Sequence, residues 1–334
     1  MKIFDQFKQP EIFQLLNSYS YQRYLHDHPS SINNIIRKRK IIYIHGNCQT
    51  LAFQDIMAEL PEIRKNFLVI SNSVHNIDLN HLDYALSSIV RADYFICQPV
   101  KSGYRGTNKL STEYLKSLLK DSCQVVSFPN IFFEGYFPEQ LTFSINTLNS
   151  TYHDYNLLQL YLKSYSIEHI AQIINSGNFY QKQEVFHNFK SSLEEIQRRE
   201  SEYDLDIKVS EIILEKYKHE KLFYTINHPS RTMLLHVLKE ILQKLELEVD
   251  LPEQGCDPIN MAQFPLYPSV YNILECNFDN PQIYTFDNQA YNRIEYIKAK
   301  IDQYNHHDVD WKAILSTERS QSLLKRKGLA PLAV

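Results

Sequence analysis

Two short polar turns carry the residue types that could do chemistry: Gly46-Asn47-Cys48-Gln49 and Asn227-His228-Pro229-Ser230. Facing one substrate, a thiol and an imidazole serve as nucleophile and base, or as a donor-positioning thiol and a base. Cys48 opens a predicted helix, whose positive N-terminal end lowers a thiol pKa and favours the thiolate. The side-chain amides of Asn47 and Gln49 are candidate donors to a developing oxyanion. The plainer alternatives are a small buried cysteine in an ordinary strand-to-helix turn and a hydrogen-bonded structural histidine at a strand end. A third group is cationic. Lys101, Tyr104 and Arg105 form a basic, aromatic loop, and Arg231 stands in the first turn of a predicted helix. Guanidinium and ammonium groups pair with phosphate oxygens, and Tyr104 offers a face for a base or sugar. Solvated surface charge is the alternative. His153-Asp154 reads as an orienting pair or a binder of a sugar hydroxyl, with a helix cap the other role for Asp154.

These residues need elements to hold them. Ile41-Ile42-Tyr43-Ile44 is apolar, β-branched and closed by Gly46, which predicts a buried strand. Leu51, Ala52, Phe53, Ile56, Met57 and Leu60 recur at helical spacing up to Pro61. Further strands are expected at Phe67–Ile70, Asp93–Cys97, Cys123–Phe128 and Leu222–Ile226, with helices over His81–Ala92, from Ser111 and over Arg231–Leu247. That alternation predicts an α/β class, a doubly wound, mostly parallel five-stranded sheet with a helical insertion. Ligands of such sheets sit beyond the carboxyl ends of the strands. Cys48, Gln98, the 101–109 loop, Asn130 and His228 are all expected there, on one side of the sheet.

The segments divide as a helical N-terminal arm over 1–38, an α/β catalytic domain over 39–250 and a C-terminal extension over 251–334 packed on the core. A mostly helical stretch over about 153–221 interrupts the catalytic domain, either packed beside the sheet or serving as a dimerisation arm; homo-oligomerisation stays open. In this stretch Val185, Phe189, Leu193 and Ile196 form an apolar stripe, with Glu200 among the solvated positions. The residues from about Ser320 read as frayed.

With 35 basic against 39 acidic residues the formal charge is −4, so no basic field points to nucleic acid. The five cysteines are odd in number and none falls in a C-x-x-C spacing, which predicts neither a disulfide framework nor a zinc site. No signal-peptide core and no run near the ~18 apolar residues of a membrane span is present, so a soluble cytoplasmic protein is expected. A phosphate-binding G-x-x-x-x-G-K-[ST] loop, a G-x-G-x-x-G turn and H-E-x-x-H are missing, and no metal is expected.

Taken together, Gly46-Asn47-Cys48-Gln49, Gln98-Pro99, the Phe128-Pro129-Asn130…Gly135-Tyr136-Phe137-Pro138 stretch and Asn227-His228-Pro229-Ser230 resemble the WcbI-type polysaccharide biosynthesis family. That family contains capsule enzymes that bind coenzyme A and are regarded as acetyltransferases. The resemblance covers roughly residues 40–245, and the G-N-C-Q turn is its strongest marker. The family is distantly similar to the SGNH hydrolases, with their flavodoxin-like sheet and a nucleophilic serine at the position of Cys48. Here the closing D-x-x-H motif is absent, because Thr225 lies three before His228. The resemblance implies acetyl transfer from acetyl-coenzyme A to a hydroxyl of a sugar or glycan acceptor. His228 would be the base and Cys48, Asn47 and Gln49 the reacting turn. Gly46, Gln98, Lys101, Tyr104, Arg105, Ser230 and Arg231 would meet the cofactor, and Asn130, Tyr136, His153 and Asp154 the acceptor. Cys48 either becomes acylated or only lines the thiol. The competing functions are a cysteine esterase or deacetylase, a non-catalytic nucleotide- or glycan-binding module, and a glycosyltransferase. The last is disfavoured because the D-x-D spacing of Asp204-Leu205-Asp206 falls in the helical stretch.

Overall fold

The computed structural model describes residues 39–142, 152–252, 254–259, 261–286, 289–305 and 309–329; the arm expected over 1–38 lies outside them. In chain order the elements begin with β1 (Lys40–Gly46), α1 (Gln49–Glu59), α2 (Pro61–Asn66), β2 (Phe67–Ser73), α3 (Leu82–Ala85), β3 (Tyr94–Cys97), α4 (Thr112–Lys116) and β4 (Gln124–Ser127). Next come β5 (Gln140–Thr142), β6 (Tyr152–Asp154) and four helices: α5 (Tyr155–Leu162), α6 (Ile167–Ile174), α7 (Lys182–Glu202) and α8 (Val209–Lys216). The chain continues through β7 (Phe223–Thr225), β8 (His228–Pro229), α9 (Arg231–Lys244), β9 (Ala262–Gln263), α10 (Pro268–Ile273), β10 (Ile283–Phe286) and β11 (Gln289–Asn292). It ends in α11 (Arg293–Asn305), α12 (Trp311–Ser316) and α13 (Glu318–Lys327).

Contacts gather these elements into two units that interleave along the sequence. Of the described residues, one holds 39–131 with Arg199–Ile212 and Arg231–Pro258; the other holds those of Phe132–Arg198, of Ile213–Ser230 and from Ile259 on.

The first unit is built on a parallel sheet of four strands in the order β2-β1-β3-β4. Gly46 aligns with Ser73 on one side of β1, and His45 with Cys97 on the other. Ile41 to Gly46 are all buried, as a central parallel strand covered on both faces requires. Helix α1 packs its Phe53, Ile56 and Met57 inward, with Phe53 meeting Phe128 edge-on at 5.3 Å. Pro61 both stops α1 and starts α2, at a position where its missing N–H costs nothing. The expected His81–Ala92 helix is shorter, a single turn of α3 between two 3₁₀ turns.

The fifth expected strand is not in this sheet. Phe223–Thr225 is β7, which turns back at once and pairs antiparallel with His228–Pro229 in a separate two-stranded sheet of the second unit. Three residues leave too few ladder bonds for an independent strand, so the tight turn supplies the partner. Around β7 the second unit builds an aromatic core, with Phe133 against Tyr136, Phe189 and Phe223 at centroid distances of 5.3, 5.1 and 5.7 Å.

Helix α7 buries Val185, Phe189, Leu193 and Ile196 as its stripe predicts, but Glu200 is also buried, where it accepts from the N–H and hydroxyl of Ser210. Over residues 320–329 the chain is a capped helix end rather than frayed. Thr317 caps α13 by accepting from the Ser320 N–H, and Gly328 ends it at φ 69°, a left-handed conformation suited to glycine.

Candidate functional site

The order β2-β1-β3-β4 reverses direction between β1 and β3, and ligands of open α/β sheets collect beyond such a reversal. The turns that leave β1 and β3 there are Gly46-Asn47-Cys48 and Gln98, and they interlock. The Gln98 Oε1 accepts from the Asn47 N–H at 2.8 Å, and its Nε2 donates to the Gln49 Oε1 at 3.0 Å and to the Pro129 carbonyl at 3.3 Å. Gln49 in turn accepts from the Ile131 N–H at 3.0 Å and donates to the Ile131 carbonyl at 2.6 Å. Asn47 donates to the Asn130 Oδ1 at 2.6 Å and accepts from the Gln49 N–H at 2.9 Å. Gly46 makes room for this frame, since a Cβ there would stand 2.5 Å from the Gln98 Oε1.

The structure thus brings Gly46, Asn47, Gln49, Gln98 and Asn130 together, but in other roles than expected. Gln49 and Gln98 are only 1% and 3% exposed, and their amides are consumed within the frame. Neither Gln49 as an oxyanion donor nor Gln98 as a cofactor contact fits that geometry. Asn47 commits its carbonyl oxygen to Gln49 and one N–H to Asn130. What the frame presents is Cys48, exposed just ahead of α1. Its thiol pKa is not lowered. Burial of the sulfur raises it, and the neighbouring backbone of Cys48 and Gln49 offsets only part of the rise. The expected thiolate is therefore not the resting form.

Of the cations, Lys101 keeps its side chain 74% exposed, with Glu202 at 3.8 Å. Arg105 has a left-handed backbone at φ 51° and donates to the carbonyls of Val74 and Ile77 at 3.0 and 2.7 Å. Tyr104 pairs with His75 through its hydroxyl at 2.6 Å. Arg231 is a correction. It is buried on α9, pairs with Glu59 of α1 at 2.5 Å and donates to the Cys256 carbonyl at 3.0 Å, so it joins helix to helix instead of meeting a phosphate. Asp206 lies in the loop between α7 and α8 and accepts from the Ser127 N–H and hydroxyl at 2.7 and 2.6 Å, which accounts for half of the D-x-D pair.

In the second unit, His228 is half-buried and its Nε2 meets the Tyr152 hydroxyl at 3.0 Å. That hydroxyl also donates to the Asn227 Oδ1 at 2.5 Å, and the Thr225 hydroxyl accepts from the His228 N–H at 3.2 Å. Burial lowers the imidazole pKa, partly offset by a hydrogen bond to the Ala262 backbone, so the ring is neutral at pH 7. Tyr152 has no sequence signal tying it to a histidine 76 positions away. Three expected acceptor contacts are structural instead. Tyr136 is fully buried and donates to the Tyr217 carbonyl at 2.6 Å. His153 is fully buried against Tyr304 and Trp311. Asp154 caps α5 by accepting from the Leu157 N–H at 2.9 Å and accepts from the Tyr267 hydroxyl at 2.6 Å. Ser230 is buried too, its N–H given to the Leu222 carbonyl at 2.8 Å rather than to a cofactor. Among the described residues no group of three or more His, Cys, Asp or Glu side chains could hold a metal, and no helix is long and apolar enough to cross a membrane.

A parallel α/β sheet that presents a framed cysteine at its switch point is one class of scaffold. The chain belongs to the family of the polysaccharide biosynthesis enzyme WcbI, whose family model matches residues 41–250. It is similar to a solved structure of WcbI, a novel polysaccharide biosynthesis enzyme in its native form without a disulfide bond between coenzyme A and one of its cysteines. The two share 18% identity at a TM-score of 0.71, over 86% of this chain and 99% of that one. No curated protein matches the chain.

Proposed function

We propose that the chain is an acetyl-coenzyme A-dependent O-acetyltransferase that modifies a sugar hydroxyl during glycan synthesis. The observation that carries this reading is the exposed Cys48 thiol, held by a rigid frame of amides at the sheet's switch point. Its support outside the chain is family membership and the solved relative described with coenzyme A and a cysteine. A protein thiol beside the cofactor's sulfur lies next to the thioester that reacts. Because the Cys48 thiol is held protonated, we assign it to lining that sulfur rather than to forming an acyl-enzyme.

In the transfer, the acceptor oxygen forms a bond to the acetyl carbon and the carbon–sulfur bond breaks. The hydroxyl proton goes to a base, and coenzyme A leaves with the electron pair. A neutral imidazole is in the state a general base needs, and burial leaves the His228 ring in that state. Lys101 and Arg105 are cationic side chains on an exposed loop and suit the cofactor's phosphates.

Calorimetry with coenzyme A, acetyl-coenzyme A and nucleotide sugars tests the reading. Binding is expected for the two coenzyme A compounds, and binding confined to nucleotide sugars would overturn it. With acceptor present, Cys48→Ala retains transfer within about tenfold if the thiol only lines the site. Hydrolysis of aryl acetates without coenzyme A, lost in Cys48→Ala, would replace transfer by an esterase.

A further inference from the structure

The amide frame does more than hold a turn. The Gln98 side chain uses its Oε1 on the Asn47 N–H and both hydrogens of its Nε2 on Gln49 and Pro129. The Gln49 Oε1 uses both lone pairs, on Gln98 and Ile131. A buried network satisfied this fully has one arrangement, because any shift leaves a buried donor or acceptor unpaired. Its fixed end is Asn47, one residue before Cys48. The Cys48 N–H belongs to the peptide that follows Asn47, and the Asn47 N–H is held by Gln98 at 2.8 Å.

We propose that Gln98 is a positioning residue for the reaction at Cys48. By taking the Asn47 N–H and backing against Gly46, it aims the Cys48 N–H at the place where charge develops. The backbone, not the Asn47 or Gln49 amides, is then the oxyanion donor. This rests on the transferase reading for its catalytic arm and on the structure alone for its chemical arm.

The chemical arm is the pH dependence of Cys48 alkylation by iodoacetamide, followed on the Cys48 peptide by mass spectrometry because Cys256 is also exposed. In Gln98→Leu the alkylation midpoint is expected to move by about half a pH unit or more, as the turn that carries the sulfur is no longer set by the frame. In the catalytic arm, kcat is expected to fall about tenfold to a hundredfold, with KM for acetyl-coenzyme A within about twofold. Gln98→Glu keeps an acceptor for the Asn47 N–H and is expected to recover part of kcat. A folded Gln98→Leu protein with a lower melting temperature but unchanged midpoint and kcat would make Gln98 merely structural and overturn the proposal. Should that variant not fold, Asn130→Ala removes the acceptor of Asn47 from a half-buried position; a smaller shift is expected, and an unchanged midpoint overturns the proposal equally. If the native protein transfers no acetyl group, the transferase reading falls, while the alkylation arm still decides the frame.

Discussion

Around Cys48 the polar side chains are neutral amides, and they end at an exposed thiol. Around Asp154 they are ionisable, and they end in the core. Glu139 and Asp154 are 3% and 4% exposed, with Lys300 and Lys327 buried in the same unit. Burial raises the Asp154 carboxyl too, but the Leu157 N–H, the Tyr267 hydroxyl and the nearby Lys300 charge favour its ionised form and offset part of that rise. Burial and the Asp154 carboxylate push the Glu139 carboxyl well above its ordinary range, so it keeps its proton. Both regions looked alike as polar residues beside strands. The difference lies in where the chain of hydrogen bonds stops: at solvent it presents a group to a substrate, and in the core it only satisfies itself.

The comparison breaks most visibly at Asp154. Asp154→Ala removes a helix cap, strands the Tyr267 hydroxyl and takes away a carboxylate whose ionised form the Lys300 charge favours. Stability is expected to fall by about 4 kcal/mol in urea unfolding. The Michaelis constant for the acceptor should stay unchanged in the folded fraction; a specific rise would return Asp154 to the acceptor site.

Next is His45 in the first unit, fully buried on β1, where burial pushes its pKa down to about 4 despite its contact with the Leu110 carbonyl at 2.9 Å. The unfolded chain takes up this proton near pH 6.5 and the folded one near 4. Stability from this residue is thus present above 6.5 and lost on acidification, about 3 kcal/mol in all. Urea unfolding of His45→Gln against the native protein from pH 7 to 4 checks it. Equal pH slopes would mean that the ring is solvated.

What could be read from the chain follows the same division. The β1-turn-α1 segment is legible because a strand buried on both faces and a helix ended by Pro61 are local patterns. The thiol turn is legible because its polarity interrupts them. Gln98 and Asn130 fall at strand ends as expected, but they lie 51 and 83 positions from their partner Asn47, and spacing cannot show that their hydrogen bonds point inward. Arg231 is misread for the same reason, its carboxylate partner being 172 positions away. The fifth strand fails differently. Leu222–Ile226 has strand-like residues, but its antiparallel return comes from a turn at Ile226 and Asn227 without the glycine that usually announces one.

Glu139→Gln sharpens the contrast between the units, because its effect has the opposite sign to that of His45. A carboxyl raised by burial stabilises the fold fully below the ordinary carboxylate range and less as pH rises toward its folded pKa. The neutral glutamine removes that slope, so the variant is expected to gain about 1 kcal/mol on the native protein between pH 5 and 8. Hydrogen exchange across this range should show second-unit peptides becoming less protected with rising pH in the native protein and not in Glu139→Gln. Parallel slopes in the two proteins would show that Glu139 is ionised and paired.

The smallest expected change in stability is at Cys48 itself. Its side chain is exposed, caps no helix N–H and holds no other element, because the frame is complete without it. Cys48→Ala should therefore unfold within about 0.5 kcal/mol of the native protein, while binding of coenzyme A weakens measurably by calorimetry. A loss of more than about 2 kcal/mol would place the sulfur among the groups that hold the turn. The Cys48 region would then resemble the Asp154 region, with its polar atoms serving the fold.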